Sequence, residues 1–244
     1  SAATDVGLQR NNNEDTYLSS PEVGLWVVAD GMGGHAAGEV ASAIVSETID
    51  KEVQNGASLS DAIQASHRQV LTAAANGEGG QGMGSTVVAL HSNGHHYEVA
   101  WVGDSRAYLW SPNKEESESR LTQLSTDHSY VQMLFQTGAI SEDELETHPE
   151  KNIITQCLGS VELDTVTVDQ VEGAWNSGEK ILLCSDGLSD VVSAKEIDEI
   201  LLNKPIPEEA IRELISLALA RGGRDNVTVS LVERPSPILI FLQS

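Results

Sequence analysis

The chain has 244 residues, enough for one large domain or two small ones. Its 14 Lys and Arg against 37 Asp and Glu leave a net charge of −23, which argues against nucleic acid or an anionic membrane as partner and suits basic partners or divalent cations. Apolar residues make up 40% but aromatics only 4%, so the core has to be built mostly from Val, Leu, Ile and Ala, while the acids in bulk read as a solvated surface.

In chain order, Glu14 and Asp15 stand in N-N-N-E-D, just before a first candidate strand. G-L-W-V-V-A (24–29) predicts the next strand. Residues 38–54 predict a helix with Val40, Ile44, Val45, Ile49 and Val53 near one face, and 58–74 a second one, with Leu59, Ile63, Val70 and Leu71 partly aligned and Ser58 or Ser60 as N-cap. Strands follow at 85–90, 97–102 and 106–110; the Asn-Gly in H-S-N-G-H-H (91–96) predicts a hairpin between the first two. N-K-E-E-S-E-S (113–119) reads as a polar loop. The stretch 129–160, full of turn residues and helical in parts, reads as an excursion from the sheets. Further strands are expected at 165–171, 180–185 and 226–232, and a helix at 207–221 that opens on Pro207 and closes near Gly222-Gly223. Strands joined by short turns, with helices grouped between them, indicate an α+β chain with antiparallel sheets.

No stretch approaches the 18 or so apolar residues that a spanning helix needs, and no signal peptide is visible, although the chain begins at Ser1 without a Met and so looks processed or cut from something longer. Cys157 and Cys184 sit in apolar settings without C-x-x-C spacing, which predicts two free thiols in a reducing compartment, and the cytoplasm is the expected location. The apolar tail at 237–242 is too short to span a membrane; an edge strand, a partner-binding segment or a stump are the alternatives.

Some acids depart from the surface background. Asp30 ends the run 24–29, Asp104 follows the run 97–102, Asp186 ends the run 180–185, and Asp225 precedes the run 226–232. A single Asp after a strand is usually a turn former. Four such acids, with Glu14 and Asp15, in a chain this poor in cations, point elsewhere: carboxylates gathered at strand ends cannot all stay ionised and unpaired. Oxygen ligands without Cys or paired His indicate Mg²⁺ or Mn²⁺ rather than Zn²⁺. G-M-G-G-H-A (31–36) starts like a dinucleotide fingerprint, but a carboxylate directly before the glycines would repel a pyrophosphate. The glycines fit better as bare backbone that lets the Gly31 carbonyl approach a cation beside Asp30. Arg10 is either a structural ion-pair partner of nearby acids or a guanidinium fork for phosphate oxygens.

These residues resemble the metal-dependent serine/threonine protein phosphatases of type 2C (the PPM family), in their bacterial form. The resemblance rests on T-D-x-G-x-x-R-x-x-N-x-E-D (4–15), V-A-D-G-M-G-G-H (28–35), G-x-G-S-T (82–86), V-G-D-S-R (102–106), T-D-H-S (126–129), C-S-D-G-L (184–188) and G-G-R-D-N-V-T-V (222–229), in family order along nearly the whole chain. It implies a four-layer αββα sandwich: a single catalytic domain over 1–234 with a mobile flap at about 129–160, and a tail at 235–244. It implies two Mn²⁺ or Mg²⁺ ions, with Asp30 bridging both, the Gly31 carbonyl on one, Asp186 and Asp225 on the other, and Glu14 and Asp15 acting mainly through waters. Asp104 with Asp186 resembles the site of a third, weaker ion. Arg10 would take the phosphate. Many eukaryotic members have a proton-donating His where Met32 stands; here His35 would serve as donor or substrate ligand, or as a core histidine.

The reaction so implied is hydrolysis of phosphoserine and phosphothreonine in proteins by a metal-activated water, without a covalent phosphoenzyme. The implied partners are phosphorylated proteins, among them a serine/threonine kinase and its substrates, for a monomeric enzyme. Turnover of other phosphoesters and a catalytically silent metal-binding module are the rivals.

Overall fold

The computed structural model describes residues 1–34, 37–114, 119–145 and 147–234. His35, the centre of the 113–119 loop and the 235–244 tail lie outside them. Two antiparallel sheets pack face to face. One runs β1 (Ala2–Asp5), β11 (Val227–Glu233), β10 (Lys180–Cys184), β7 (Arg106–Trp110), β8 (Leu121–Gln123). The other runs β2 (Asp15–Ser20), β3 (Leu25–Met32), β5 (Val87–Asn93), β6 (His96–Val102), β9 (Asp169–Ala174), with the short β4 (Gly84–Ser85) against the end of β3.

The period-2 alternation of strands sorts these residues into layers. From the second sheet, Leu25, Val27, Ala29, Val87, Ala89 and Ala100 face α1 (Ala37–Gln54) and α2 (Leu59–Ala75), where Val45, Ile49, Ile63 and Val70 meet them. The alternate residues Trp26, Val28, Val88, Val99 and Trp101 face the first sheet and pack on Ala107, Ile181, Leu183 and Val232. The outer face of the first sheet, with Leu182, Val229 and Leu231, is covered by α6 (Ala194–Asn203) and α7 (Pro207–Ala220). The result is the expected αββα order. Aromatics are few, but Trp26, Trp101, Trp110 and Trp175 are all buried, three of them between the sheets.

Local signals set the helix ends. Ser58 caps α2 by accepting the Asp61 N–H, α6 opens on a Ser193–Glu196 capping box, and Pro207 starts α7. Between β8 and β9 the chain leaves the sheets through α3 (Tyr130–Gln136) and α4 (Glu142–Leu145), then returns by bridges between Ser129 and Ile154 and between Ser85 and Leu158. The remaining α5 (Asp186–Ser189) follows β10 directly. Both cysteines are free, and no helix of the described residues is long and apolar enough to cross a membrane.

Four expectations need correction. β3 does not stop before Asp30 but carries it inside the strand, to Met32. The run 85–90 is broken at Thr86, whose N–H donates to the Asp30 carbonyl. The hairpin turn is Gly94-His95 rather than Asn-Gly, because Asn93 still pairs with His96. The strand placed at 165–171 begins only at Asp169. Side chains claim the backbone just before it: Gln64 donates to the Val166 carbonyl and Gln156 accepts the Thr167 N–H.

Candidate active site

The site starts from one register. Asp15 on β2 and Asp30 on β3 are direct cross-strand partners, which places their Cβ atoms about 4.5–5.5 Å apart on one face. Asp30 continues the face of Trp26 and Val28, so both acids stand at the end of the layer between the sheets. From the opposite sheet, Ser185 and Thr228 reach across: their hydroxyls donate to Asp15 Oδ2 at 2.8 and 2.7 Å. Thr228 has one hydroxyl proton and gives it to Asp15, so it accepts from Thr4 Oγ1, 2.7 Å away, and Thr4 accepts from Asn13 Nδ2 at 2.8 Å. This directional chain saturates Oδ2 and leaves the buried Asp15 Oδ1 without a partner.

Asp30 is held by its backbone. Its carbonyl accepts the Thr86 N–H at 2.8 Å and the Ser85 hydroxyl at 3.0 Å, and its N–H donates to Thr86 Oγ1 at 3.3 Å. Burial raises its pKa well above the carboxylate range, and Asp15, Asp186, Asp104 and Asp225 raise it further. Burial does the same to Asp186, at the first position of α5, with Asp104, Asp225, Asp190 and Asp15 adding to it. Asp15 is pushed up to about 6 by burial, against the lowering effect of the Thr228 and Ser185 hydroxyls. Asp104, in the bend after β6, is also pushed up to about 6, by burial and then by Asp127, with Arg106 opposing. Five acids remote in sequence thus share one field.

The glycines of the 26–38 stretch have a packing reason. A Cβ on Gly31 would lie 2.0 Å from the Gly38 carbonyl oxygen and 2.6 Å from the Glu14 carbonyl oxygen. One on Gly38 would meet the Glu14 carboxyl carbon at 2.7 Å. Bare backbone therefore lets β3, the start of α1 and Glu14 stack directly. Glu14 Oε1 is buried there without a partner. Asn226 ties this N-terminal segment to the last strand: its Oδ1 accepts the Glu14 N–H at 2.8 Å, and its Nδ2 donates to the Val6 and Asn12 carbonyls.

Arg10 pairs with Asp225 at 2.6 Å rather than with its sequence neighbours Glu14 and Asp15, and both side chains are partly exposed. Arg10 and Glu14 line a shallow hollow of about 260 Å³ with Asn11, Asn12 and Gly34. A larger cavity, about 680 Å³, lies on the other flank, between Asp104, Asp127, Asp186 and Asp190 below and Lys151 and Asn152 of the excursion. Lys151 pairs with Asp190 at 3.0 Å, and Arg106 grips Asp127 at 2.6 Å.

Every predicted site acid is therefore near the same end of the sandwich, with Gly31 beside them; His35 lies outside the described residues. Among the described residues no three His, Cys, Asp or Glu groups are drawn in to ligand spacing. The donor set nevertheless suits a hard cation: Glu14 Oε1, Asp15 Oδ1 and Asp186 Oδ1 are buried carboxylate oxygens without hydrogen-bond partners. Sequence reading missed Ser185, Thr228 and Asn226, which stand inside C-S-D-G and R-D-N-V-T-V next to the acids they serve.

A model of the family described as protein phosphatase 2C matches residues 9–223. A serine/threonine protein phosphatase PstP of Mycobacterium tuberculosis is 38% identical over 239 residues, covering 95% of this chain and 44% of that protein. The chain thus spans less than half of that relative's length. A serine/threonine phosphatase stp of Listeria welshimeri is 36% identical, over 95% of this chain and 94% of its own. A crystal structure of the catalytic domain of a serine/threonine protein phosphatase PstP, in complex with two manganese ions, superposes with a TM-score of 0.77 at 36% identity, over 96% of this chain and 97% of that one.

Proposed function

Because the chain belongs to the protein phosphatase 2C family, we propose that it hydrolyses phosphoserine and phosphothreonine in proteins with divalent metal ions, by direct attack of water and without a phosphoenzyme. The observation that carries this reading is the pairing of Asp15 with Asp30 beneath a field of three further acids, with carboxylate oxygens left unpartnered in a buried setting. Asp30, Asp15, Glu14, Asp186, Asp225 and the Gly31 carbonyl are the groups that would hold two Mn²⁺ or Mg²⁺ ions, and Asp104 with Asp186 a third, weaker one. When bound, such ions supply the positive charge that lowers the pKa of water and neutralises phosphoryl oxygens.

The chain's own residues do the rest. Ser185 and Thr228 fix one oxygen of Asp15, so its other oxygen is the one presented. Ser85 and Thr86 hold the Asp30 backbone, and with it the direction of its carboxylate. Arg10 offers a planar fork of N–H donors to the phosphate oxygens, at the rim where it now meets Asp225. His35 would supply a proton to the departing serine or threonine oxygen. Cys184 is no rival nucleophile: burial pushes its thiol up to about 12. The expected substrates are phosphoproteins, including a serine/threonine kinase and its targets, met in the cytoplasm by a monomer whose single catalytic domain covers 1–234.

The test is phosphate release from a phosphothreonine peptide titrated with Mn²⁺ and with Mg²⁺, for the wild type, D30N and D225A. The reading expects no release without metal, none from D30N, and a weakened metal dependence in D225A. D30N turning over near the wild-type rate would refute the site.

A further inference from the structure

His128, in T-D-H-S, has no part in the reading above, yet its bonds converge on the Asp104 loop. Its N–H donates to the Gly103 carbonyl at 2.9 Å, and its ring Nδ1 accepts the Gly103 N–H at 3.2 Å. Both backbone groups of the residue before Asp104 are thus held by one histidine. An Nδ1 that accepts an N–H carries no proton, so in the neutral ring the proton is on Nε2, 3.3 Å from Asp169 Oδ2. Asp169 opens β9 and so fixes the tautomer. The ring is nearly buried, at 9% side-chain exposure. On its other side, the His128 carbonyl accepts the Thr155 N–H at 2.8 Å, and the adjacent Ser129 bridges Ile154. These are the two roots of the 129–160 excursion. Gly103 in turn packs on Thr86: a Cβ there would fall 2.6 Å from Thr86 Cβ, and Thr86 is the residue that holds Asp30.

We propose that His128 is a positioning residue that couples the excursion to Asp104, its ring setting the Asp104 loop and its backbone pinning both roots of the excursion. The role of Asp104 in metal binding rests on the phosphatase reading; the clamp itself does not. Removing the ring takes away the side chain that seats the His128 main-chain bonds to Gly103 and Thr155, so the weaker metal site and the excursion, which border one cavity, loosen together.

The experiment uses the whole chain with Mn²⁺ as probe. It compares the wild type with H128A, with H128N, whose amide oxygen can replace the Nδ1 acceptor, and with D169A. Three readouts are followed: Mn²⁺ binding by calorimetry, trypsin cleavage after Lys151 inside the excursion, and kcat and KM for a phosphothreonine peptide across Mn²⁺ concentrations. H128A is expected to need about 10-fold more Mn²⁺ for half-maximal turnover, in line with losses on removing supporting partners of metal ligands. Its tight Mn²⁺ binding stays within about 2-fold, since that belongs to the other carboxylates, and its cleavage after Lys151 speeds up. H128N should restore both effects towards wild type, with D169A intermediate. A wild-type Mn²⁺ titration together with wild-type trypsin protection in H128A overturns the proposal. So does a general loss of stability that H128N fails to rescue, which marks a residue of the core and nothing more. Should H128A not fold, H128N and D169A decide by the same readouts, and unchanged Mn²⁺ and trypsin behaviour in D169A overturns the tautomer argument. If the wild type neither binds Mn²⁺ nor turns over, the phosphatase reading fails by itself, and the trypsin comparison still judges the clamp.

Discussion

Replacing Asp15 with Asn should stabilise the metal-free protein near neutral pH, although it removes a carboxylate that would hold metal in the proposed site. Asp15 is buried at 7% exposure and its pKa is pushed up to about 6, chiefly by burial. The unfolded chain holds an Asp near 3.9, so between those values the folded state binds more protons, and stability falls as pH rises through the window. Two pH units at about 1.4 kcal/mol each amount to roughly 3 kcal/mol lost by about pH 7.5. Asn matches Asp in shape and carries no charge to desolvate, and its carbonyl oxygen can take the Ser185 and Thr228 hydroxyl bonds. The expected outcome, from urea unfolding after chelation, is a D15N protein more stable than wild type by up to about 3 kcal/mol at about pH 7.5, with the gap falling below about 1 kcal/mol by about pH 4. Taking the difference between two proteins of otherwise equal charge cancels the general repulsion of an acidic chain. Excess Mn²⁺ should reverse the order, because ions that bind only the folded state favour the better ligand set. A D15N protein less stable than wild type at both pH values, or a gap that does not move with pH, would refute the assignment of a desolvated, charge-crowded Asp15.

Three further outcomes follow from the packing. Gly31→Ala places a methyl 2.0 Å from the Gly38 carbonyl oxygen; calorimetric unfolding should show a loss of about 3 kcal/mol or more, beyond ordinary overpacking because backbone cannot yield. Asn226→Ala leaves the Glu14 N–H and two carbonyls without their partner; about 2–4 kcal/mol of stability should go, with faster hydrogen exchange across residues 6–14. Arg10→Ala breaks an ion pair whose partners are 49% and 36% exposed, so unfolding should shift by no more than about 1 kcal/mol, while phosphate release slows about 10²–10³-fold if the guanidinium meets developing charge.

Much of the sandwich was legible in the sequence because strands buried on both faces leave apolar runs, as in Leu25–Ala29 and Ile181–Cys184, and because α1 keeps its apolar residues on one side. The acids stood out for the complementary reason: each interrupts or borders such a run. What escaped was structure held by side chains. Thr165–Val168 looks like strand, but Gln64 and Gln156 satisfy its backbone instead. α6 was missed although Ser193 and Glu196 form its capping box, since its polar face dilutes the pattern. β1 is short and half exposed. Ser185, Thr228 and Asn226 act across more than 40 residues of chain or on loops, so no periodicity reports them. Arg10 had two readings in sequence, and its contact with Asp225 is a pairing only the closed fold reveals.

β11 lies between β1 and β10, and it brings Thr228 to Asp15 and Asn226 to Glu14. During synthesis Asp15 and Glu14 wait for partners that stand more than 200 residues further along the chain. An emerging chain that already pairs Asp15 with Asp30 therefore lacks one of the two hydroxyls that aim Asp15, and under the proposed function it should release no phosphate until residue 228 has emerged.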